Sequence, residues 1–509
     1  MYCKVLTGAI NGIESEIASV EVDVSTGLPG FEMVGLLGYE VKEARERVKV
    51  ALKNTGIQIP ATKITVSITP ADMRKEGAAY DLPIAVGVLI ALGNIPMEYV
   101  ENTVVIGELG LNGEIRGVKG VLPIVRKAKE AGVKRCIVPL DNYAEAAIID
   151  GISVAGMETL EEAIYYLSQT EEYRQQWQAP ANGRKEELRQ EQELDFADLN
   201  GQEGVRRAVE IAAAGFHHIM MMGPPGSGKT MVAKRIPTIL PDLTMEESLE
   251  VSTIYSVAGQ LQATGGLMKR RPFLDPHHTI SEQALAGGGR IPKPGVISLA
   301  HRGVLFLDEM PEFRRSALEI LRQPLEDKRV HIARTYGSFI YPADFMLVAA
   351  MNPCPCGYFP DRNRCTCSEN EVKRYMHKIS GPILDRIDIA IEAPKVDIRQ
   401  LASQTINESS AQMKARVMAA RERQEMRFRD SGYRFNSELK GADIREYCPL
   451  GPEEQTFMEQ VFHRMNLSAR SYHKLIKVAR TIADLDGADK IGQQHLGEAV
   501  CYRMNEGGR

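Results

Sequence analysis

A glycine-rich turn near the middle of the chain carries a lysine and a threonine at fixed spacing. It fits the pattern G-x-x-x-x-G-K-[S/T], follows an apolar run at 219–222 and precedes a helical run that begins at Met231. Glycines let backbone N–H groups approach phosphate oxygens, and the start of the following helix adds partial positive charge. The pattern predicts a nucleotide-binding loop formed by Gly223, Pro224, Pro225, Gly226, Ser227, Gly228, Lys229 and Thr230.

The loop and a second apolar run together predict which residues bind the phosphates, the metal ion and the attacking water. We expect Lys229 to reach the β- and γ-phosphates of ATP, and the Thr230 hydroxyl to ligate Mg²⁺. A second apolar run, 303–307, ends in Asp308 and Glu309. Asp308 would help to hold the Mg²⁺ ion, and Glu309 would act as the general base toward the attacking water. Taken alone, the two acids would also suit a turn at the end of a strand.

A third apolar run, 345–351, ends at Asn352. A polar side chain at the tip of a strand beside the phosphate site would orient the attacking water. Asparagine also suits a turn before Pro353, and the residues alone leave both interpretations open.

Three blocks of sequence and one linker must position these residues. Residues 1–169 mix strand-like and helical runs, and residues 170–193 are charged, Gln-rich and too poor in aliphatic residues to fold alone. Residues 194–394 alternate strands with helices, which predicts a parallel sheet covered on both faces. Residues 395–509 have helical periodicity and no strand-like run. The predicted fold class is α/β, with an all-α domain at the end of the chain.

Four of the eight cysteines lie in one short stretch as two C-x-C pairs, and the other four are scattered. Two close pairs of thiolates can make a tetrahedral site that suits Zn²⁺, although zinc sites more often place two to four residues between the members of a pair. Four reduced cysteines with a redox role are the alternative. The candidate ligands are Cys354, Cys356, Cys365 and Cys367.

Together these motifs resemble those of the magnesium-chelatase-like AAA+ ATPases. The matching residues are the loop at 223–230, the acidic strand end at 305–309, Asn352 and the signature PHHTISEQALAGGG at 276–289. Over nearly its whole length the chain resembles the ComM/YifB family. The resemblance implies a Lon-protease-like N-terminal domain, an AAA+ P-loop core with a parallel sheet and a C-terminal helical lid. It also implies a homo-oligomeric ring, a hexamer, with ATP bound between subunits.

The resemblance adds roles for three residues that spacing alone does not assign. Asn352 falls at the sensor-1 position, Arg386 at the position of the arginine finger, and Arg470 at the sensor-2 position. A guanidinium offered by the neighbouring subunit would neutralise charge that develops on the γ-phosphate. The alternative for Arg386 is an ion pair with Asp385 or Asp388 of its own chain.

The first block resembles a Lon-type protease domain without its nucleophile. Lon-type proteases use a Ser–Lys dyad, and residues 75–81 match the loop that carries the serine. Ala79 stands at the serine position, and Lys119 matches the lysine. Because a lysine with no hydroxyl to activate cannot form an acyl-enzyme, we expect no peptidase activity and a role in assembly or DNA contact.

The net charge and composition of the chain restrict the kinds of partner that it can bind. The chain has 62 Lys and Arg against 67 Asp and Glu, a formal net charge of −5, which excludes a globally basic nucleic-acid coat but not a local basic channel. Basic clusters at 269–271 and 290–293, and a β-hairpin over 330–341, would line the pore of a ring and follow a DNA backbone. A solvated surface is the alternative. His277 and His278 are expected to make polar contacts, because adjacent side chains point apart on most backbones.

No apolar run reaches the length of a membrane span, and the N-terminus has no signal-peptide pattern, which predicts a cytoplasmic protein. The first hypothesis is an ATP- and Mg²⁺-dependent DNA helicase or translocase that acts on branched or single-stranded DNA in recombination or natural transformation. The alternative is a chelatase-like or chaperone-like ATPase that remodels a protein partner.

Overall fold

Three structural regions follow one another along the chain: a mixed sheet with helices, a parallel sheet with helices, and a helical region. Within the part of the chain described, no helix is both long and apolar enough to cross a bilayer. The computed structural model describes residues 1–175, 177, 194–261, 266–289, 292–334, 337–395 and 407–503.

A seven-stranded sheet forms the first region. Its side chains alternate between core and surface, as in residues 63–69, where Ile64, Val66 and Ile68 point inward. The strands are β1 (Tyr2–Asn11), β2 (Glu14–Ser25), β3 (Gly30–Val34), β4 (Lys63–Thr69), β5 (Thr103–Val105), β6 (Glu108–Leu109), β7 (Ile115–Arg116), β8 (Arg135–Pro139) and β9 (Ser153–Met157). The sheet order is β3-β4-β2-β1-β5-β8-β9, and β6 pairs with β7 in a separate ribbon.

Six helices accompany this sheet in the described residues. They are α1 (Tyr39–Asn54), α2 (Asp81–Ala91), α3 (Val121–Glu130), α4 (Tyr143–Ala146), α5 (Leu160–Leu167) and α6 (Glu171–Gln175), with 3₁₀ turns at Met97–Tyr99 and Leu140–Asn142. Every residue of α2 is buried, so this helix lies in the core of the first region.

The packing of the first region continues past Gln169, where the sequence analysis ends the first domain. Arg174 is buried and donates a hydrogen bond to the carbonyl of Tyr99 (2.5 Å), and the Trp177 ring lies 5.2 Å from that of Tyr166. The expected linker therefore begins with a docked helix. Its remainder, residue 176 and residues 178–193, lies outside the described residues.

A five-stranded sheet forms the second region, and all of its neighbouring strands are parallel, as the alternation of strands and helices predicts. Its order is β11-β14-β17-β10-β18. The strands of this region are β10 (Ile219–Met222), β11 (Phe273–Leu274), β12 (Gly287–Gly288), β13 (Lys293–Pro294), β14 (Val304–Leu307), β15 (Arg329–Arg334), β16 (Gly337–Pro342), β17 (Met346–Met351) and β18 (Ile389–Glu392).

Two antiparallel ribbons accompany the sheet of this region. Strands β12 and β13 form one, and β15 and β16 form the other, with Val330 opposite Tyr341, which confirms the predicted hairpin. The helices are α7 (Glu203–Gly215), α8 (Lys229–Ile239), α9 (Met245–Ala258), α10 (Glu282–Ala286), α11 (Val296–Leu299), α12 (Arg315–Ile320), α13 (Pro324–Asp327), α14 (Glu369–Met376) and α15 (Gly381–Leu384), with 3₁₀ turns at Phe196–Asp198 and Met310–Glu312.

The described part of the third region, from residue 407, is helical, as its periodicity predicts. Val417 and Ile482 belong to the same apolar cluster as Ala212 of α7, so this region shares one core with the parallel-sheet region. Gln424 also donates a hydrogen bond to the Ala214 carbonyl (2.9 Å). The helices are α16 (Ser410–Phe428), α17 (Asp443–Tyr447), α18 (Pro452–Arg464), α19 (Ala469–Leu485) and α20 (Gln493–Cys501), with a 3₁₀ turn at Asn436–Glu438.

The first region contacts the second through α3 and α9. The backbone N–H of Gly120 donates to the carbonyl of Ser256 (3.0 Å). A Cβ atom at Gly259 would lie 2.5 Å from Cε of Lys119, so the lysine stem lies directly against the second region. The residue that matches the protease lysine therefore takes part in this contact.

Candidate nucleotide-binding site

Three neighbouring strands end at one edge of the parallel sheet. Strand β17 lies between β14 and β10, so Gly223, Asp308 and Asn352, which follow these strands, meet at that edge. In open parallel sheets the carboxyl ends of the strands form the binding crevice. The structure therefore brings together the three segments that the sequence analysis picked out separately.

The phosphate loop connects β10 to α8 as predicted, and close packing requires glycine at its first position. A Cβ atom at Gly223 would lie 2.1 Å from the Ala393 carbonyl oxygen, so no larger residue fits there. Gly228 has the left-handed φ of 81° and caps α8, whose first residue is Lys229. The free N–H groups of this helix start face the loop, an arrangement that suits a phosphate.

Lys229 folds back over its own loop. Its Nζ donates to the carbonyls of Gly223 (2.8 Å) and Pro224 (3.1 Å), and it lies 3.4 Å from Oδ1 of Asn352. Burial lowers the pKa of Lys229, while Asp308 and nearby Glu309 act in the opposite direction. A phosphate would give this buried ammonium a stronger, charged acceptor than the two carbonyls.

Thr230 and Asp308 contact each other directly. The Thr230 hydroxyl donates to Oδ2 of Asp308 (2.7 Å). A hydroxyl and a carboxylate oxygen at this separation, next to a phosphate loop, are the hard oxygen donors that Mg²⁺ prefers. The donor set present therefore fits the predicted ion.

Glu309 follows Asp308 in the left-handed conformation, with a φ of 49°. Its side chain is half exposed, and its Oε2 lies 3.9 Å from Nδ1 of His278. The sequence analysis expected a polar contact for His278 but did not name this partner. Its premise was wrong, because the rings of His277 and His278 do not point apart but lie 4.1 Å from each other.

Gln202 is a residue of the site that the sequence analysis missed. Its amide nitrogen donates to the carbonyl of Ser227 in the phosphate loop and lies 3.5 Å from the carbonyl of Pro394. It thereby ties the loop to the segment after β18. A lone glutamine before a helix gives no sequence signal of such a contact.

Arg386 and Arg470 lie together, away from the phosphate loop. Arg386 donates to Oε2 of Glu326, and Arg470 donates to Oε1 of the same carboxylate (3.2 Å). In the described chain neither guanidinium is hydrogen-bonded to residues 223–230. Arg386 thus forms an ion pair within its own chain, as the alternative predicted. The partner is Glu326, so the prediction of Asp385 or Asp388 as the partner is wrong.

Models of magnesium-chelatase domains match nearly all of these regions. Subunit ChlI of Mg-chelatase matches residues 20–142, magnesium chelatase subunit ChlI matches 195–401, and its C-terminal model matches 407–503. YifB of Escherichia coli K12 is 43% identical over 499 residues, which are 98% of this chain and 96% of that protein. The chain belongs to the ComM/YifB family of magnesium-chelatase-like AAA+ proteins.

Other relatives agree with this assignment. Competence protein ComM of Haemophilus influenzae Rd is 39% identical over 506 residues, 98% of this chain and 97% of that protein. Lon protease 2 of Bacillus subtilis 168 is 29% identical over 245 residues, 42% of each chain. Membership in this AAA+ family supports an ATPase that uses ATP and Mg²⁺.

The four clustered cysteines of this ComM/YifB family member converge in space. Their sulfur atoms all lie within 4.8 Å of one another, and Cys354 Sγ is 3.3 Å from Cys356 and 3.8 Å from Cys365. Zinc–thiolate bonds of about 2.3 Å place the sulfurs of a tetrahedral site roughly 3.8 Å apart. A hydrogen bond from the backbone of Tyr358 lowers the pKa of Cys356 to about 6, which favours the thiolate.

The cysteine loop packs against the phosphate loop. Gly357 lies between the two C-x-C pairs in the left-handed conformation, and a Cβ atom there would lie 2.5 Å from Cδ of Pro225. The cysteine loop begins two residues after Asn352. It therefore supports two parts of the nucleotide site from one side.

The basic clusters divide into structural and exposed residues. Arg271 is buried and donates to Glu247 and to the carbonyls of Pro241 and Arg302, so its expected place in a pore was wrong. The burial of Arg271 depends on packing against segments that are distant in the sequence. In the other cluster Lys293 is exposed in β13, whereas residues 290 and 291 lie outside the described residues.

Proposed function

We propose that the chain forms a hexameric ring that hydrolyses ATP and translocates on branched or single-stranded DNA, with branch migration in recombination or transformation as its role. The observation that carries this proposal is the placement of Arg386 and Arg470 on their own chain's Glu326, apart from the phosphate loop. Among the described residues, Lys229 is hydrogen-bonded within the phosphate loop, whereas these two arginines are not. In a ring, the neighbouring subunit supplies the remaining positive charge around the nucleotide.

Each residue at the sheet edge has a distinct part in hydrolysis. Lys229 exchanges its two carbonyl partners for phosphate oxygens, and the N–H groups of the loop bind the rest of the chain of phosphates. Thr230 and Asp308 would hold Mg²⁺, which when bound offsets charge on the phosphates. Glu309 accepts a proton from the attacking water, and Asn352, within reach of Lys229, orients that water.

The ribbon of β15 and β16 supports DNA as the partner. Arg329, His331 and Arg334 are exposed along β15, while Val330 and Ile332 point into the core. In a ring this ribbon would place one set of cationic groups per subunit around a channel. The relative named competence protein ComM supports the same class of partner.

We expect forked DNA to stimulate ATP hydrolysis, because a bound strand would favour the closed ring.

The double variant R329A/R334A should lower the slope of log affinity against log salt by about 1 to 2. With fewer contacts to phosphates, DNA binding releases fewer counterions. Fluorescence anisotropy with labelled DNA measures the slope, and a coupled assay measures turnover.

The control is R322A, which removes an exposed arginine that pairs with Glu319 outside the ribbon. If no DNA, forked or single-stranded, changes turnover, the DNA assignment fails and the chelatase-like or chaperone-like alternative takes its place.

We infer that the cysteine cluster binds one zinc ion. The spacing of the four sulfurs, close to that of a tetrahedral thiolate site, supports it. The ion would be structural, because all four positions are filled by protein thiols. It would hold the loop that packs on Pro225 and follows Asn352.

Purified protein should therefore contain about one zinc per chain by mass spectrometry of the metal. The variant C356S should lose most of the metal and unfold at lower temperature, because the loop loses its cross-link. The variant C501S, which alters an exposed cysteine outside the cluster, should retain both. Metal-free wild-type protein with an unchanged melting temperature would contradict this assignment.

We propose that the first region, predicted at residues 1–169 and extended by the packing of Arg174 and Trp177, is an inactive Lon-like domain, with 194–394 as the ATPase core and 395–509 as the lid. Ala79 leaves the first domain without a nucleophile, and Lys119 lies against Gly259 of the core. This contact fixes the first domain to the core of its own chain, and the proposed role of the domain is in assembly or DNA contact.

A further inference from the structure

One carboxylate joins the two arginines that the proposed function assigns to the neighbour's nucleotide. Glu326 lies in α13, Arg386 just after α15, and Arg470 in the first turn of α19. Each oxygen of Glu326 accepts from a different guanidinium. We propose that Glu326 is a positioning residue that stands in for the γ-phosphate, holding both arginines in the free subunit and releasing them when a neighbour presents ATP. This inference rests on the proposed function.

The chemistry of the two acceptors makes such an exchange reasonable. A carboxylate and a phosphate both present paired anionic oxygens on one centre, and the planar guanidinium binds either of them through parallel N–H groups. The phosphate carries more negative charge and more acceptor oxygens than the carboxylate. When both are in reach, the arginines will therefore favour the phosphate.

The contact between Glu326 and Arg470 is easily given up, whereas Arg386 is only 12% exposed and also donates to the carbonyl of Pro382 (2.5 Å). The side chains of Glu326 and Arg470 are 53% and 50% exposed, and ion pairs with that exposure add little to stability. Arg386 nevertheless has a reason to exchange, because its buried Nε has no hydrogen-bond partner among the described residues. A phosphate with several oxygens can accept from that donor as well.

The backbone beside Arg386 is fixed independently of Glu326. Lys474 donates to the carbonyl of Ile387 (2.8 Å), and the N–H of Asp388 donates to the carbonyl of His218 (3.0 Å). The guanidinium can thus change partners while its backbone stays in place. The ion pair borders a cleft of about 830 Å³, which gives the side chain room to move.

The consequence is a competition between Glu326 and ATP. The variant E326Q removes the negative charge and keeps the shape, so the neighbour's nucleotide meets arginines that no anion holds. We expect E326Q to lower the KM for ATP roughly fivefold with kcat unchanged, because a larger fraction of subunits is competent to bind. The variant E326D retains the charge and should behave as the wild type does.

Steady-state ATP hydrolysis by full-length protein tests this, with ring formation followed by sedimentation at the same ATP concentrations. The matched control is D327N, which makes the same change in charge one residue away, at an exposed side chain for which the described structure shows no ion pair. It should leave both KM and assembly unchanged. A KM for E326Q that is unchanged or raised, or a reduced kcat, would overturn the proposal.

The variant R386A separates this inference from the function on which it rests. If R386A hydrolyses ATP at the wild-type rate, the assignment of this arginine to the neighbour's nucleotide fails. If R386A is inactive and E326Q has wild-type kinetics, the arginine assignment stands and only the role of Glu326 fails.

Discussion

Replacing Glu309 by glutamine should lower the rate of ATP hydrolysis about a thousandfold while ATP binding persists, because an amide cannot accept the proton of the attacking water. The phosphate contacts are made by Lys229 and the loop, and Thr230 and Asp308 would keep their metal. Single-turnover hydrolysis gives the chemical rate, and binding of a fluorescent ATP analogue gives the affinity.

The control for this prediction is E312Q. Glu312 is a nearby acid whose side chain is partly exposed and paired with Lys378, away from the phosphate loop. It should retain nearly full turnover. Turnover by E309Q within tenfold of the wild type would remove Glu309 from the role of base.

Replacing Arg386 by alanine should reduce turnover by about 10³-fold or more, the effect usual for a guanidinium that stabilises a transferring phosphoryl group. The loss should be rescued in trans. Mixing R386A with the equally inactive K229A puts an intact phosphate loop beside an intact arginine at some interfaces, so activity should return. Turnover measured across mixing ratios gives the dependence.

The control for mixing is each variant diluted with the double variant R386A/K229A, which can restore no interface. If mixed rings stay inactive while they assemble normally, Arg386 acts on the nucleotide of its own chain or on none. The trans arrangement that underlies the proposed ring would then be wrong.

The sequence predicts best what is local. The phosphate loop, the acidic end of β14 and the cysteine pairs are each short segments whose spacing alone places the side chains close together. The pairing of Arg386 with Glu326 joins residues 60 positions apart, and that of Arg470 joins residues 144 apart. No periodicity encodes such contacts.

Arg271 is a second example of a contact between distant residues that the sequence does not predict. Its neighbours in the sequence, Lys269 and Arg270, make the segment look like an exposed basic patch. Its burial follows from Glu247, 24 positions earlier, which supplies the carboxylate that a buried guanidinium needs. A charge pattern cannot distinguish a solvated arginine from a paired one.

The shared apolar core of α7, α16 and α19 limits how the molecule can do work. Hydrophobic packing across these helices, with His217 bonded to Thr481 (2.8 Å), joins the helical region to the parallel-sheet region through one continuous apolar core. A hinge between them would have to open that core. In the proposed ring, movement driven by hydrolysis would then occur as sliding and rotation at the interfaces between adjacent protomers, and the hinge would lie between polypeptides rather than within one.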